Sequence, residues 1–276
     1  MNIDSETLDH RRWPDFDALS DAEVSALSAS FQQAAPFPHL VMDNFFPAER
    51  ISTMVRDFDV ALAPSWYEYR GSLQSKRSTL AGTPLPHAVQ EYFNVLYSGP
   101  FLRFLTRITG IADLIPDPAL YGGGMHEIDP GGCFEVHVDF AKHPRTKLNN
   151  RLVVLTYLNE DWHAADGGAL ELWSFNPPQR DKVLAPTLGR TVIIEQSAHA
   201  LHGQPDPVQV GRVRRSAVAY FYTNGLTGSG TNDTLDTTYI PHAGYSPRQK
   251  AEYLLRSVMP PALIKGLKAV RNVLSS

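Results

Sequence analysis

The sequence has a single cysteine, Cys133, in 276 residues. One cysteine cannot form a disulfide within the chain, which favours a reducing compartment. No run approaches the roughly 18 uninterrupted apolar residues that a membrane span needs, and residues 1–10 lack the basic start and apolar stretch of a secretory signal. We therefore expect a cytoplasmic protein without a membrane span.

The sequence also lacks a charge excess of either sign. It has 25 Lys and Arg residues against 29 Asp and Glu residues, a formal net charge of -4, and its basic residues are spread along the chain. A nucleic-acid-binding protein usually shows a basic patch, so nucleic acid is not an expected partner. The glycine run Gly122 to Gly124 lacks the Lys-Ser/Thr of a phosphate-binding loop. Nothing in the sequence fixes the oligomeric state.

Before residue 120 the pattern is helical. Ser20 and Glu23 form a capping-box pattern that predicts a helix running toward Gln33. A second helix is expected after Pro47, and a third from Ala88 to about Ile108 with a break near Gly99. The prediction for residues 1–119 is a helical region that packs on the core, and the entry strand of this region is implied by the family resemblance described below.

After residue 120 the pattern changes to short apolar runs separated by turn residues, which is typical of strands. The predicted strands are Gly124 to Ile128, Phe134 to Val138, Leu152 to Leu158, Ala169 to Phe175, Thr191 to Glu195, and Ser216 to Thr223. Many short strands predict a sandwich, barrel or jelly roll. We expect a mainly β core at residues 120–225, and a C-terminal loop and helix of the same domain at 226–276.

The last helix is predicted at Pro261 to Leu274, where apolar residues recur at helical spacing and basic residues lie around them. This pattern fits a helix that packs on the domain, and it also fits a helix at a membrane surface. We favour packing on the domain.

A metal site is predicted at the end of the strand Phe134 to Val138. His137 and Asp139 are two residues apart, and because side chains alternate along a strand, both point to the same face and can reach one metal. A redox-active Fe(II) site with open positions uses two histidines and one carboxylate. The second histidine is expected after the strand Thr191 to Glu195, where His202 is favoured and His199 is the alternative.

A basic residue downstream turns this common triad into a more specific pattern. Arg214 and Ser216 fall on one face of the last core strand and Arg215 falls on the other. A guanidinium beside a hydroxyl can grip a carboxylate through charge-assisted hydrogen bonds, which suits the distal carboxylate of 2-oxoglutarate. Arg212 and Arg215 remain alternatives for this anchor.

Ordered sequence blocks resemble the prolyl-4-hydroxylase-like branch of the 2-oxoglutarate and Fe(II)-dependent oxygenases. The blocks are GGGMHE from Gly122, HVDF from His137, RLVVLTYLN from Arg151 followed by DW, GGALELW from Gly167, HGQP from His202 and RRSAVAYFY from Arg214. PHLVMDNFF from Pro38 is similar to the family's usual entry strand and helix. The long interval between His202 and Arg214 departs from many relatives.

The resemblance implies a double-stranded β-helix, which is a cupin-like jelly roll, flanked by N-terminal helices and a C-terminal helix. It implies His137, Asp139 and His202 as iron ligands, and Arg214 and Ser216 as ligands of 2-oxoglutarate. Family members often place a tyrosine facing the co-substrate, and Tyr157 occupies that block here. The expected cofactors are Fe(II), 2-oxoglutarate and O2, with ascorbate as a candidate reductant.

The implied function is a dioxygenase that hydroxylates an unactivated C–H bond and releases succinate and CO2. The substrate is unknown, with peptidyl proline and small molecules as the candidates. The polar and aromatic segment from Trp66 to Arg70, followed by Lys76 and Arg77, is interpreted as a substrate loop. Rival readings are a non-redox metal-binding jelly roll, such as an isomerase or hydrolase, and a non-catalytic binding module.

Overall fold

The structure is a computed structural model that describes residues 13–60, 66–225 and 236–258. The helix predicted at Pro261 to Leu274 lies outside the described residues. None of the helices in these ranges is long and apolar enough to cross a membrane.

The helices of the N-terminal region follow the sequence pattern closely. The α-helices of the described ranges are α1 (Asp21–Gln32), α2 (Ala48–Val60), α3 (His87–Leu96), α4 (Gly99–Thr109) and α5 (Pro247–Val258). Ser20 caps α1 in a reciprocal capping box with Glu23, as predicted. The break predicted near Gly99 is real, because the Ser98 side chain accepts from the Phe101 backbone and starts a new helix there. Helix α5 was not predicted.

The strands are β1 (His39–Met42), β2 (Trp66–Arg70), β3 (Ser75–Thr79), β4 (Ile115–Pro116), β5 (Gly124–Ile128), β6 (Phe134–Val138), β7 (Asn149–Tyr157), β8 (Leu170–Ser174), β9 (Gln179–Leu184), β10 (Thr191–Glu195), β11 (Leu201–Gln204), β12 (Arg214–Thr223) and β13 (Thr238–Tyr239). The six strands predicted after residue 120 are all present, three of them with the predicted bounds. Strands β4, β9, β11 and β13 were not predicted.

The segment interpreted as a substrate loop is an antiparallel hairpin, and this part of the prediction was wrong. Strand β2 pairs with β3 through the whole of both strands. Strand β2 mixes aromatic with charged residues and β3 is polar, so neither strand shows the alternation of apolar and polar residues that predicts a strand. The hairpin is instead held by backbone pairing, since β3 pairs with β5 and Gln74 pairs with Phe134 at the start of β6.

Within the described residues the strands form two antiparallel sheets, as the predicted jelly roll requires. The larger sheet has the order β1-β10-β7-β12-β5-β3-β2, with β4 on β12, and the smaller sheet has the order β13-β6-β11-β8-β9. The predicted fold, mainly β with helices before and after the core, is confirmed. The domain limits at residues 119 and 225 stay a prediction.

The central strands β7 and β12 of the large sheet are buried on both faces because alternate residues face different partners. On β7, Val154 packs into the cluster formed with the N-terminal helices, whereas Val153 packs into the cluster between the two sheets. On β12, Phe221 faces the helices and Tyr220 faces the interior. Each fully buried aromatic of this kind contributes roughly 3–5 kcal/mol against truncation to alanine. The large sheet is therefore a rigid wall for the cavity between the sheets.

Candidate metal and co-substrate site

Three predicted ligands meet in one buried cluster. His137, Asp139 and His202 each offer a ligand atom, and these atoms all lie within 4.8 Å of one another. His137 Nε2 is 3.3 Å from Asp139 Oδ1, and His202 Nε2 is 3.5 Å from Asp139 Oδ2. Two imidazoles and one carboxylate on one side of a small cavity can hold a metal ion and leave its other positions open.

Strand pairing brings these residues together. His137 on β6 and His202 on β11 are direct cross-strand partners, so their side chains lie side by side on one face of the small sheet. Asp139 follows β6 immediately and keeps the same parity. Next to His202, a Cβ on Gly203 would come within 2.9 Å of the Val136 backbone. The close approach of β11 to β6 therefore requires glycine at this position.

The hydrogen bonds of the two imidazoles favour metal binding. Nδ1 of His137 is 2.6 Å from the Glu135 carbonyl oxygen, and Nδ1 of His202 is 2.9 Å from the Ala200 carbonyl oxygen. A carbonyl only accepts, so each Nδ1 donates and each neutral ring keeps its lone pair on Nε2. The His137 Nε2 is buried and has no hydrogen-bond partner among the described residues. Such an orphaned nitrogen fits a metal ligand.

The carboxylate of Asp139 is held in its ionised form. Burial alone would raise the pKa of Asp139, but His202 and His137 beside it hold that pKa well below its usual range. The Tyr220 hydroxyl donates to Asp139 Oδ2 at 3.1 Å and orients the carboxylate. Sequence reasoning missed Tyr220, because no local pattern links it to a residue 81 positions earlier.

Arg214 lies in a second buried site on the large sheet. Its Nε donates to the Gly168 carbonyl at 2.7 Å, and one terminal nitrogen donates to the Tyr157 hydroxyl at 3.3 Å. The guanidinium also lies over the Tyr157 ring, 4.9 Å from its centre. Burial lowers the pKa of Arg214, yet a guanidinium stays charged in proteins. Among the described residues no carboxylate pairs with Arg214, so this buried cation is suited to bind an anionic ligand.

Gly168 shapes this second site. It has a positive φ of 66°, and a Cβ there would come within 3.1 Å of Arg214 Cδ. Glycine lets the chain turn and lets the guanidinium side chain pass close to the backbone. The sequence showed a pair of glycines in the GGALELW block. It did not predict that the Gly168 carbonyl would accept a hydrogen bond from Arg214.

A row of polar side chains crosses the inner face of the large sheet beside Arg214. Ser78 on β3 pairs with His126 on β5, His126 pairs with Ser216 on β12, and Ser216 pairs with Tyr157 on β7. Residues in direct register share a face, so all four side chains point into the cavity between the sheets. Ser216 and Tyr157 thus lie on the same face as Arg214, and parity had predicted this for Ser216.

The alternative residues lie elsewhere. His199 is exposed, with its ring against Phe175. Arg212 donates to the carbonyls of Glu160 and Asp161, and Arg215 forms an ion pair with Glu127. The structure therefore brings His202 and Arg214 to the cavity and leaves these alternatives outside it.

Comparison with known proteins agrees with this geometry. Residues 123–222 match the family model of the 2OG-Fe(II) oxygenase superfamily. No curated protein matches the chain in sequence.

Solved structures share the fold at low sequence identity. A prolyl-4-hydroxylase from Pseudomonas putida has 16% identity and a TM-score of 0.54, covering 73% of this chain and 100% of that one. A Trichoplax adhaerens prolyl hydroxylase, solved with a hypoxia inducible factor peptide, has 13% identity and a TM-score of 0.52, covering 72% and 88%.

The epimerase SnoN from nogalamycin biosynthesis, described as non-heme and alpha ketoglutarate dependent, has 11% identity and a TM-score of 0.53, covering 81% of this chain and 98% of that one. These likenesses show the fold, and the family model spans every residue of the two buried sites just described except those of the β2–β3 hairpin. Residues 123–222 thus match the 2OG-Fe(II) oxygenase superfamily, and this match together with the buried His-Asp-His cluster supports a 2-oxoglutarate-dependent dioxygenase that uses Fe(II), 2-oxoglutarate and O2.

Proposed function

We propose that His137, Asp139 and His202 hold Fe(II), that Arg214, Ser216 and Tyr157 hold the distal carboxylate of 2-oxoglutarate, and that the enzyme hydroxylates an unactivated C–H bond. When bound, iron with 2-oxoglutarate and O2 supplies an oxidant strong enough for such a bond. The chain's own part is to fix the position of these groups and to keep water out.

The observation that carries this proposal is the buried guanidinium of Arg214. Its hydrogen bonds go to neutral oxygens, those of Gly168 and Tyr157. Burying a cation without an anionic partner costs free energy, and this cost is offset when a carboxylate binds to the cation. A non-redox isomerase or hydrolase on this fold, or a binding module with an inherited triad, has no use for such a carboxylate site beside a metal triad.

The polar groups around the iron site prepare it for binding. The backbone carbonyls of Glu135 and Ala200 fix both imidazoles with Nε2 toward the metal position, and Tyr220 fixes the Asp139 carboxylate. Preorganised ligands lose little conformational entropy on binding, which favours tight and specific metal capture.

The substrate of this reaction is proposed only as one of two classes. The relatives named above include hydroxylases of prolyl residues and an epimerase, so a prolyl residue and a small molecule are both candidates. Hydroxylation adds one oxygen atom to the product, whereas epimerisation leaves its mass unchanged. The mass of the product therefore separates these outcomes. Ascorbate, as a reductant that keeps iron in its ferrous state, stays a prediction.

The test is an anaerobic titration of the purified protein with Fe(II) and 2-oxoglutarate. We expect a weak visible metal-to-ligand charge-transfer band, followed by release of succinate when oxygen is admitted. Folded, metal-loaded protein that shows neither the band nor succinate would contradict the proposal. A search for products heavier by about 16 Da, the mass of one oxygen atom, then tests the hydroxylation itself.

A further inference from the structure

Lys76 is a second cation of the cavity and has no role in the site described so far. It lies on β3, two residues before Ser78, so the two side chains share the inner face of the sheet. Arg214 likewise lies two residues before Ser216 on β12, and both serines are in register with His126 on β5. Because β3 and β12 are each antiparallel to β5, they run in the same direction. Lys76 and Arg214 therefore occupy the same level of the sheet, two strands or about 10 Å apart.

The Lys76 ammonium lies close to the predicted iron ligands. It is 4.3 Å from the centre of the Phe134 ring and 5.6 Å from that of Tyr69. Phe134 stacks directly on the His137 imidazole, with ring centres 3.8 Å apart. The Phe134 ring therefore contacts both the Lys76 ammonium and a predicted iron ligand.

No carboxylate pairs directly with this ammonium. In the described part of the chain, Lys76 has neither an ion pair nor a hydrogen bond, and its ammonium lies over two aromatic faces. Burial lowers the pKa of Lys76 to about 8, with Asp139 opposing the shift and Arg214 adding to it. The side chain is thus mostly protonated at neutral pH and incompletely solvated.

Charge counting shows that the cofactors do not supply the missing anion. The two positive charges of Fe(II) and the one on Arg214 balance the Asp139 carboxylate and the two carboxylates of 2-oxoglutarate. Lys76 then leaves one positive charge in excess. Nearby carboxylates are committed elsewhere, since Glu127 pairs with Arg77 and Arg215.

Resting on the proposed function, we infer that the substrate is an anion, and that Lys76 binds its carboxylate while the C–H bond to be oxidised faces the iron. The aromatic rings of Phe134 and Tyr69 hold the ammonium by cation–π contact until the substrate arrives. The hairpin fits this role, because it pairs with β5 of the large sheet and, through Gln74, with the start of β6 in the small sheet, next to the predicted iron ligands. A substrate of this class is a free carboxylic acid, which differs from an internal prolyl residue in a peptide.

Two sources of the carboxylate must be distinguished, the substrate and 2-oxoglutarate. Charge-transfer titration under anaerobic conditions measures the dissociation constant of 2-oxoglutarate without any substrate. Lys76→Met keeps the length and the apolar stem of the side chain and removes its charge. We expect this variant to bind 2-oxoglutarate within about twofold of wild type. A tenfold or larger loss of affinity would assign Lys76 to the co-substrate and overturn the inference.

The substrate test uses a protein-free extract of cells of the source organism, divided by anion exchange into a retained and an unretained pool. A third probe is a synthetic Pro-Pro-Gly repeat peptide with blocked, uncharged ends. We expect the retained pool alone to stimulate succinate release by wild type, with at least tenfold less stimulation of Lys76→Met at equal concentration. Lys76→Arg, which keeps the charge, should recover most of the response. Lys250→Met, an exposed lysine on α5, is the matched control.

A binding readout accompanies turnover. Protein loaded with Zn(II) in place of Fe(II), together with 2-oxoglutarate, is filtered with the retained pool, and the bound compound is identified by mass spectrometry. Wild type should retain a carboxylic acid that Lys76→Met does not retain. Stimulation by the unretained pool, by the neutral peptide, or by none of the three probes would overturn the inference. Absence of both the charge-transfer band and succinate would instead reject the proposed function.

Discussion

The two sheets divide the site between them in different ways. The small sheet supplies the metal triad, from β6, the residue that follows it, and β11. The large sheet supplies the anion site, from β7 and β12. The strands β7 and β12 of the large sheet are buried on both faces, whereas the last strand of the small sheet, β9, is mostly exposed.

This difference indicates which interactions hold the side chains of each site in position. The anion site lies on strands that pack against apolar residues on both faces, so its side chains are positioned by the burial of apolar area. The metal triad lies on the smaller sheet, and its side chains are positioned by hydrogen bonds and by one close backbone contact. Substitutions on the small sheet should therefore affect iron first, and those on the large sheet should affect 2-oxoglutarate first.

The largest effect is expected from loss of an iron ligand. Asp139→Ala removes the one carboxylate of the triad, and we expect iron affinity to fall by more than about a hundredfold, since loss of outer partners alone costs about 10–100-fold. Iron content after desalting, measured by mass spectrometry of the metal, checks this. His163→Ala, at an exposed histidine, is the control and should retain iron. Full iron retention by Asp139→Ala would remove it from the triad.

Arg214→Met should give the next largest effect, on the co-substrate. Leaving a buried carboxylate without its charged partner costs about 2–5 kcal/mol, so the dissociation constant of 2-oxoglutarate should rise about 30-fold or more. Iron content should stay close to wild type. Arg215→Met changes the neighbouring residue on the opposite face, which pairs with Glu127. A larger loss of 2-oxoglutarate affinity in Arg215→Met than in Arg214→Met would assign the distal carboxylate to Arg215 instead.

Gly203→Ala tests the close contact between β6 and β11. The new Cβ would lie 2.9 Å from the Val136 backbone, so we expect a loss of about 1–3 kcal/mol in the free energy of unfolding, with weaker iron binding. Denaturant titration of the metal-free protein measures the stability. Gly99→Ala is the control, because its nearest neighbour is the flexible end of Arg103. Equal stability of the two variants would show that the strands can separate without cost.

Tyr220→Phe should give the smallest effect, about a tenfold loss of iron affinity, because it removes one hydrogen bond to the Asp139 carboxylate. Tyr222→Phe is a close control on the same face of β12, since its buried hydroxyl has no partner among the described residues. Competition with a chelator reports both affinities. A similar loss in the two variants would mean that Tyr220 acts through packing.

Much of this arrangement followed from side-chain parity. The two-residue spacing of His137 and Asp139, and of Arg214 and Ser216, was enough to predict which side chains share a face, because strands alternate strictly. Parity could not separate His202 from His199, since the start of β11 depends on its pairing with β6. The β2–β3 hairpin was missed as a strand pair because its sequence does not alternate between apolar and polar residues, and because its pairing partner β5 is distant in the chain.

The β2–β3 hairpin has a consequence for how this enzyme can acquire new substrates. Its frame is fixed by backbone hydrogen bonds to β5 and β6, which do not depend on side-chain identity. Its inward side chains, such as Lys76, can therefore be exchanged by point substitution while the metal triad keeps its geometry. The metal and 2-oxoglutarate sites lie within residues 123–222, whereas the residue proposed to bind the substrate lies on the earlier β2–β3 hairpin. Substitutions in the hairpin can therefore change the substrate without changing the metal site.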